Sequence, residues 1–325
     1  MRHRWRELIL SSACTLAFAV SSPSPSPPQP AAPLPAHPFD GLYHRTKHLN
    51  GSDLLQDFDR VSKPDPRNVE GSFANFTTDG LFSRQGSSAT IRVSDISLPP
   101  YDTALDNPPK RPSVRLVSKE PEFGLGLFVF HVRHLPEGCG TWPAWRFFQD
   151  FDDDPDKEKT QIREIDVIEL SNKVQTNQAT LHTSTGCTQE THTKGGRWNQ
   201  QMFSGSWVDV CKCGARYNEG VSSQCPKDGP TEPSYQCGIY QSFGAQGSFA
   251  EAFNKGGGGF YAMERTAEHV KMWWWPNGAE PSVLHQATMP ASLDQLDWGL
   301  PFAYFSLGAR CPSQTVWCSA PCLLG

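Results

Sequence analysis

Apolar and polar residues alternate along this chain in short runs rather than long helical stripes. Ala89-Thr90-Ile91-Arg92-Val93 has the two-residue period of a half-buried strand. Leu125 to Val132 is apolar on both faces, as a strand in a sandwich core would be. Glu164 to Leu170 is short and β-branched, and Thr180-Leu181-His182-Thr183 follows it after an Asn/Gln-rich turn. Phe260-Tyr261-Ala262-Met263-Glu264 comes after the glycine run 256–259. His269 to Trp275 is aromatic and stops at the turn signal Pro276-Asn277-Gly278. No segment sustains a 3.6-residue period with caps. The runs predict an all-β, two-sheet sandwich.

Composition supports that reading. The 27 glycines and 28 prolines favour many turns and short strands, and 325 residues suit one large all-β domain. Ten Trp and 19 Phe are high counts; most are expected in the core, although aromatic faces also stack on sugars. Ser21 to Pro38 is almost entirely Ser, Pro and Ala, an extended linker. Ahead of it, Arg2, Arg4 and Arg6, the apolar stretch Leu8 to Val20 and the Ala17-Phe18-Ala19 site read as a secretory signal. The expected organisation is a signal peptide over 1–20, a linker over 21–38 and a folded domain over 39–325. The Asp152 to Lys159 run is charged and predicts a solvated loop.

Charge and cysteine content narrow the function classes. A formal net charge of −5 argues against a nucleic-acid partner. No apolar run reaches 18 residues, so no membrane-spanning helix is expected. Of ten cysteines, Cys14 would leave with the signal. Cysteines 139, 187, 211, 213, 225, 237, 311, 318 and 322 remain, and an exported chain uses them in disulfides with one left over. Cys211-Lys-Cys213 is too closely spaced to favour zinc, and no metal or cofactor is expected. Asn50-Gly51-Ser52 and Asn75-Phe76-Thr77 are glycosylation sequons.

The chemistry concentrates in Glu164-Ile165-Asp166-Val167-Ile168-Glu169. On a helix, Glu164 would face away from the other two acids. On a strand, Glu164 and Asp166 share a face, while Glu169 has the wrong parity. One β-bulge at Val167-Ile168 corrects it. Three acids on one face could be an acidic edge strand, a calcium ligand set, or a pair of catalytic carboxyls with opposite protonation. In the last case Glu164 is the nucleophile, Glu169 the general acid/base, and Asp166 the helper whose charge favours a protonated Glu169.

This motif, with Thr176-Asn177-Gln178, Thr180-Leu181-His182-Thr183-Ser184 and Gly186-Cys187 downstream, resembles glycoside hydrolase family 16, in particular fungal laminarinase-like endo-1,3(4)-β-glucanases. Gly138-Cys139-Gly140-Thr141-Trp142-Pro143-Ala144, Tyr261-Ala262-Met263-Glu264 and Trp298-Gly299-Leu300-Pro301-Phe302-Ala303 extend the resemblance. It implies a curved, concanavalin A-like β-jelly roll. It also implies retaining cleavage of internal β-1,3 or β-1,4 bonds by a secreted, monomeric enzyme with a β-glucan substrate. By position, Glu164, Asp166 and Glu169 take the catalytic roles and His182 lines the cleft. Trp142 is expected as a sugar platform, with Trp145, Arg265 and Trp273 as further substrate-binding candidates.

Three features depart from the family pattern. Arg146 stands where the family has the second Trp of its Trp-Pro-Ala-containing segment. The acidic run and Gln161-Ile162-Arg163 replace a Trp-Pro-Asn-Gly-Gly-like lead into the catalytic strand. After Leu307 to Pro312 the family continues into another core strand, whereas this chain runs to Ser319–Gly325, so that strand is expected to be missing. Two other functions share the fold and stay open on sequence alone: a non-catalytic, lectin-like glucan binder and a cell-wall transglycosylase.

Overall fold

The computed structural model describes residues 42–51, 54–61, 72–73, 80–96, 112–119, 124–138, 140–148, 162–169, 172, 174–183, 203–208, 236–241, 247–290, 298–307 and 321–324. The expected signal peptide, linker, acidic loop, second sequon and cysteine pairing lie outside the described residues. Asn50 of the first sequon is exposed.

Two antiparallel sheets carry the domain. The larger has spatial order β12 (Ser206–Val208), β13 (Gln236–Tyr240), β11 (Gln178–Thr183), β10 (Ile162–Glu169), β9 (Ala144–Phe148), β18 (Pro321–Leu324), β7 (Arg115–Ser118) and β2 (Phe58–Val61). The smaller runs β17 (Ala303–Ser306), β15 (His269–Pro276), β14 (Gly259–Arg265) and β8 (Gly126–Val132). Short pairs join β1 (Leu42–His44) to β16 (Thr288–Pro290), β3 (Ser72–Phe73) to β6 (Pro112–Ser113), and β4 (Phe82–Gln85) to β5 (Ser88–Ile91). Among the described residues no helix is long and apolar enough to cross a membrane.

Alternation sets the core. Trp145, Phe147, Ile165, Val167, Ile168, Ala179, Leu181 and Ile239 of the larger sheet pack against Tyr261, Met263, Val270, Met272 and Phe305 of the smaller one. Burying each large apolar side chain contributes about 1.5–3 kcal/mol. A second apolar cluster of Ala262, Trp273, Met289 and Trp298 forms on the opposite face of the smaller sheet, with Tyr43 of β1 packed against it. Close backbone approach explains the glycine run. Gly258 has φ +87°, and a Cβ there would sit 2.1 Å from the Val132 carbonyl oxygen.

Two expectations change. The expected strand Leu125–Val132 becomes β8 (Gly126–Val132), but at the edge of the smaller sheet, with Val129 left exposed. The expected missing core strand is present: β18 pairs with both β7 and β9, and Cys322 stands between Val117 and Arg146. Those two strands would otherwise face each other with unpaired backbone groups. Pro321 occupies the first position of β18, where the lack of an N–H is tolerated.

Candidate active site

Strand register brings the acids together. Glu164 lies between Phe148 of β9 and His182 of β11. Asp166 lies between Arg146 and Thr180, and Glu169 between Ala144 and Gln178. The register shifts between Asp166 and Glu169 against β11, and between Asp166 and Ile168 against β9, so a bulge lies at Val167-Ile168. Both bulge residues are buried in the core, at 0 % and 1 % exposure. Two successive apolar residues thus enter the core, and Glu169 swings onto the same face as Glu164 and Asp166.

Asn177 holds the bulge from behind. It is fully buried, its Nδ2 donates to the Val167 carbonyl at 2.8 Å, and its Oδ1 accepts from the Glu169 N–H at 3.1 Å. One carboxamide therefore satisfies both backbone groups freed by the extra residue. Nothing in the sequence around Asn177 marks this role. A lone Asn before a strand reads equally well as turn chemistry.

Each acid has a different environment. The Glu164 carboxylate accepts a hydrogen bond from Arg146 Nη1 at 2.7 Å. Asp166 is fully buried, with His182 Nε2 3.1 Å from its Oδ2. Burial pushes the Asp166 carboxyl up to about 7, against the lowering effect of His182, and the charges of Glu169 and Glu164 add to the rise. Burial likewise raises Glu169; the His182 charge opposes this and the Glu164 charge reinforces it. Burial would lower His182, but its hydrogen bond to Asp166 and the surrounding carboxylates raise it instead.

Glu169 keeps two donors despite its raised proton affinity. Trp142 Nε1 donates at 3.2 Å and the Thr180 hydroxyl at 3.3 Å. Gln178 Nε2 donates to Thr180 Oγ1 at 2.9 Å, which turns that hydroxyl proton toward Glu169. The expected platform Trp142 thus stands beside the acid with 46 % of its surface exposed. His182 is also where the motif suggested, opposite Glu164.

The other candidates are elsewhere. Trp145 points into the core, 5 % exposed, with ring centroids 5.2 Å from Phe130 and 5.6 Å from Phe147. Its odd position relative to Arg146 puts Arg146, not Trp145, on the acid face. Trp273 belongs to the second apolar cluster, edge-to-face with Trp298, and its indole N–H donates to the Gly299 carbonyl at 3.2 Å. Arg265 is buried in β14 of the smaller sheet, paired with Gly126 and Val270. Trp145 and Trp273 are packed in apolar clusters, and Arg265 lies in the other sheet from the acids. Arg146, Thr180, Gln178 and Asn177 take part in their place.

Asp166, Glu169 and His182 each offer one ligand atom, all within 4.8 Å of one another, which is close enough for a divalent cation. A cation needs these groups deprotonated. Burial biases both carboxyls toward keeping their protons, which a cation would have to overcome.

A two-sheet sandwich with Glu164, Asp166 and Glu169 gathered on one sheet face is the arrangement a jelly-roll glycoside hydrolase would present. The chain belongs to glycoside hydrolase family 16, its residues 74–320 matching the XgeA-like catalytic domain of that family. It is 30 % identical over 267 residues to a probable glycosidase of Schizosaccharomyces pombe, covering 81 % of this chain and 54 % of that protein. It is 29 % identical over 279 residues to the endo-1,3(4)-beta-glucanase xgeA of Emericella nidulans, covering 82 % of this chain and 37 % of that one. The chain thus spans about half or less of the length of these relatives. Among solved structures, GH16 laminarinase 16A from Phanerochaete chrysosporium, with β-glucans in donor and acceptor sites, superposes with a TM-score of 0.65. Identity is 26 %, over 87 % of this chain and 84 % of that one.

Proposed function

We propose that this chain is a secreted, endo-acting β-glucan hydrolase that cleaves β-1,3 or β-1,4 glucosidic bonds with retention. The observation that carries this reading is the shared face of Glu164 and Glu169, one paired with a cation and the other buried with raised proton affinity. Glu169 gives its proton to the glycosidic oxygen as Glu164 attacks the anomeric carbon, and a glycosyl ester forms. Glu169, now a base, takes a proton from water. Water attacks the anomeric carbon, and Glu164 leaves as carboxylate. Asp166 and His182 share a hydrogen-bonded position next to both acids and hold the charge balance between these steps.

The substrate class is supported by Trp142, an exposed ring beside the acid, and by the laminarinase that shares the fold. Residues 1–20 are the proposed export signal ahead of the 21–38 linker, which places the enzyme outside the cell or in the wall, with its cysteines in disulfides and its sequons open to glycosylation. It acts as a monomer.

Incubation of the full chain with laminarin, lichenan and cellulose, followed by sizing of products, tests the proposal. Falling chain length through intermediate oligomers is expected from the first two. Products longer than the substrate identify a transglycosylase instead, and bound but uncut glucan identifies a lectin. Glu164→Ser is expected to abolish turnover while the protein stays folded; unchanged activity would overturn the assignment.

A further inference from the structure

Arg146 occupies the position where the family resemblance calls for a sugar-stacking tryptophan, and it contacts the nucleophile. Its β9 neighbours Trp145 and Phe147 are turned into the core, so Arg146 is the residue β9 offers to the acid face opposite Asp166. The Arg146 side chain is almost buried, 7 % exposed, against 18 % for the Glu164 side chain, and the 2.7 Å contact is made from Nη1 to Glu164 Oε1. The ring of Phe148, Glu164's partner on β9, lies 5.4 Å from the guanidinium carbon and backs it.

We propose, on the basis of the hydrolytic reading above, that Arg146 is a positioning residue that sets the lifetime of the glycosyl-enzyme. By fixing Oε1 it leaves Oε2 as the attacking oxygen. Its charge also favours the free carboxylate over the neutral ester. When Glu164 forms its bond to the anomeric carbon, the carboxylate charge disappears and Arg146 loses an ionic partner. When water displaces the ester oxygen, the charge returns and Arg146 stabilises it. The same contact therefore restrains the first step and assists the second. A charge-assisted hydrogen bond in a partly dry site corresponds to about a 10- to 100-fold effect on the decay of the ester.

These opposite signs separate Arg146 from a merely structural residue. Rates of both half-reactions are measured on wild type, Arg146→Gln and Arg146→Lys with an activated aryl β-glucoside oligomer. The covalent adduct is followed by intact-protein mass spectrometry, with a 2-fluoro analogue slowing its decay. Arg146→Gln is expected to form the adduct at least as fast as wild type and to lose it about 10- to 100-fold more slowly, while Arg146→Lys restores much of the decay rate. Equal decay in all three proteins overturns the role of Arg146 and leaves the hydrolase reading intact, as does a parallel loss of both steps in folded Arg146→Gln. Absence of any adduct and any turnover in wild type overturns the hydrolase reading itself, and this inference with it.

Discussion

Asn177→Ala tests whether the bulge, rather than the acids alone, builds the site. The substitution removes a carboxamide that is fully buried and serves two backbone groups, the Val167 carbonyl at 2.8 Å and the Glu169 N–H at 3.1 Å. Each buried group left without a partner costs about 1–3 kcal/mol, so the variant is expected to lose about 2–6 kcal/mol of stability. The chemical consequence is separate. The Glu169 N–H anchors the residue that must reach the leaving oxygen, and a displacement near 1 Å at such a group lowers the rate roughly 100-fold. Urea denaturation followed by tryptophan fluorescence gives the first quantity, and kcat/KM on laminarin, in buffer where the variant is folded, gives the second. Gln178→Ala serves as a control for stability alone, because that side chain bonds to Thr180 and not to the bulge backbone. If Asn177→Ala keeps stability within about 0.5 kcal/mol and retains wild-type kcat/KM, the bulge does not depend on this clasp.

Four further outcomes are expected. Glu169 must be protonated in the first step, and burial raises its proton affinity, so the alkaline decline of activity on polymer should lie above the ordinary carboxylate range. Glu169→Gln should lose polymer activity yet recover partly on substrates with activated aryl leaving groups, and a variant equally inactive on both would refute the acid role. Asp166 has a folded-state affinity raised from 3.8 to about 7, so its contribution is fully present below pH 3.8 and is lost as pH rises toward 7. Thermal unfolding of Asp166→Asn should therefore show a shallower fall in stability across that window than wild type, and an identical pH profile would contradict the burial argument. Trp145→Ala should cost about 3–5 kcal/mol as a core truncation, whereas Trp142→Ala should leave stability near wild type and raise the KM for laminarin about threefold to tenfold. Denaturation and KM measured on both variants check the division, which fails if the two exchange effects.

The larger features were legible because period and chemistry agreed. The β-branched residues between Glu164 and Glu169 predicted a strand, and the parity mismatch of Glu169 predicted the bulge that the register displays. What the sequence left hidden depends on neighbours. Trp142 and Trp145 look alike as residues, yet Trp142 lies just ahead of β9, beside the acid, while Trp145, inside β9, is turned into the core. Trp273 and Arg265 lie in strands predicted correctly, but no local pattern tells which sheet a strand will join. β18 was missed because Pro-Cys-Leu-Leu is four residues long and shows no alternation; its pairing is decided by two distant edges, β7 and β9. Arg146 was noticed as a departure from the family pattern, but its contact with Glu164 depends on the β9–β10 register, which the sequence does not print.

The stereochemistry of the first product is the most direct measure of whether two acids on one face act in turn. Proton NMR of laminarin digestion, recorded within the first minutes, reads the configuration of each new reducing end before mutarotation scrambles it. The β-anomer is expected to appear first and the α-anomer to follow at the spontaneous rate. Initial release of the α-anomer would mean direct attack by water without a Glu164 ester, and would contradict the double displacement assigned to Glu164 and Glu169.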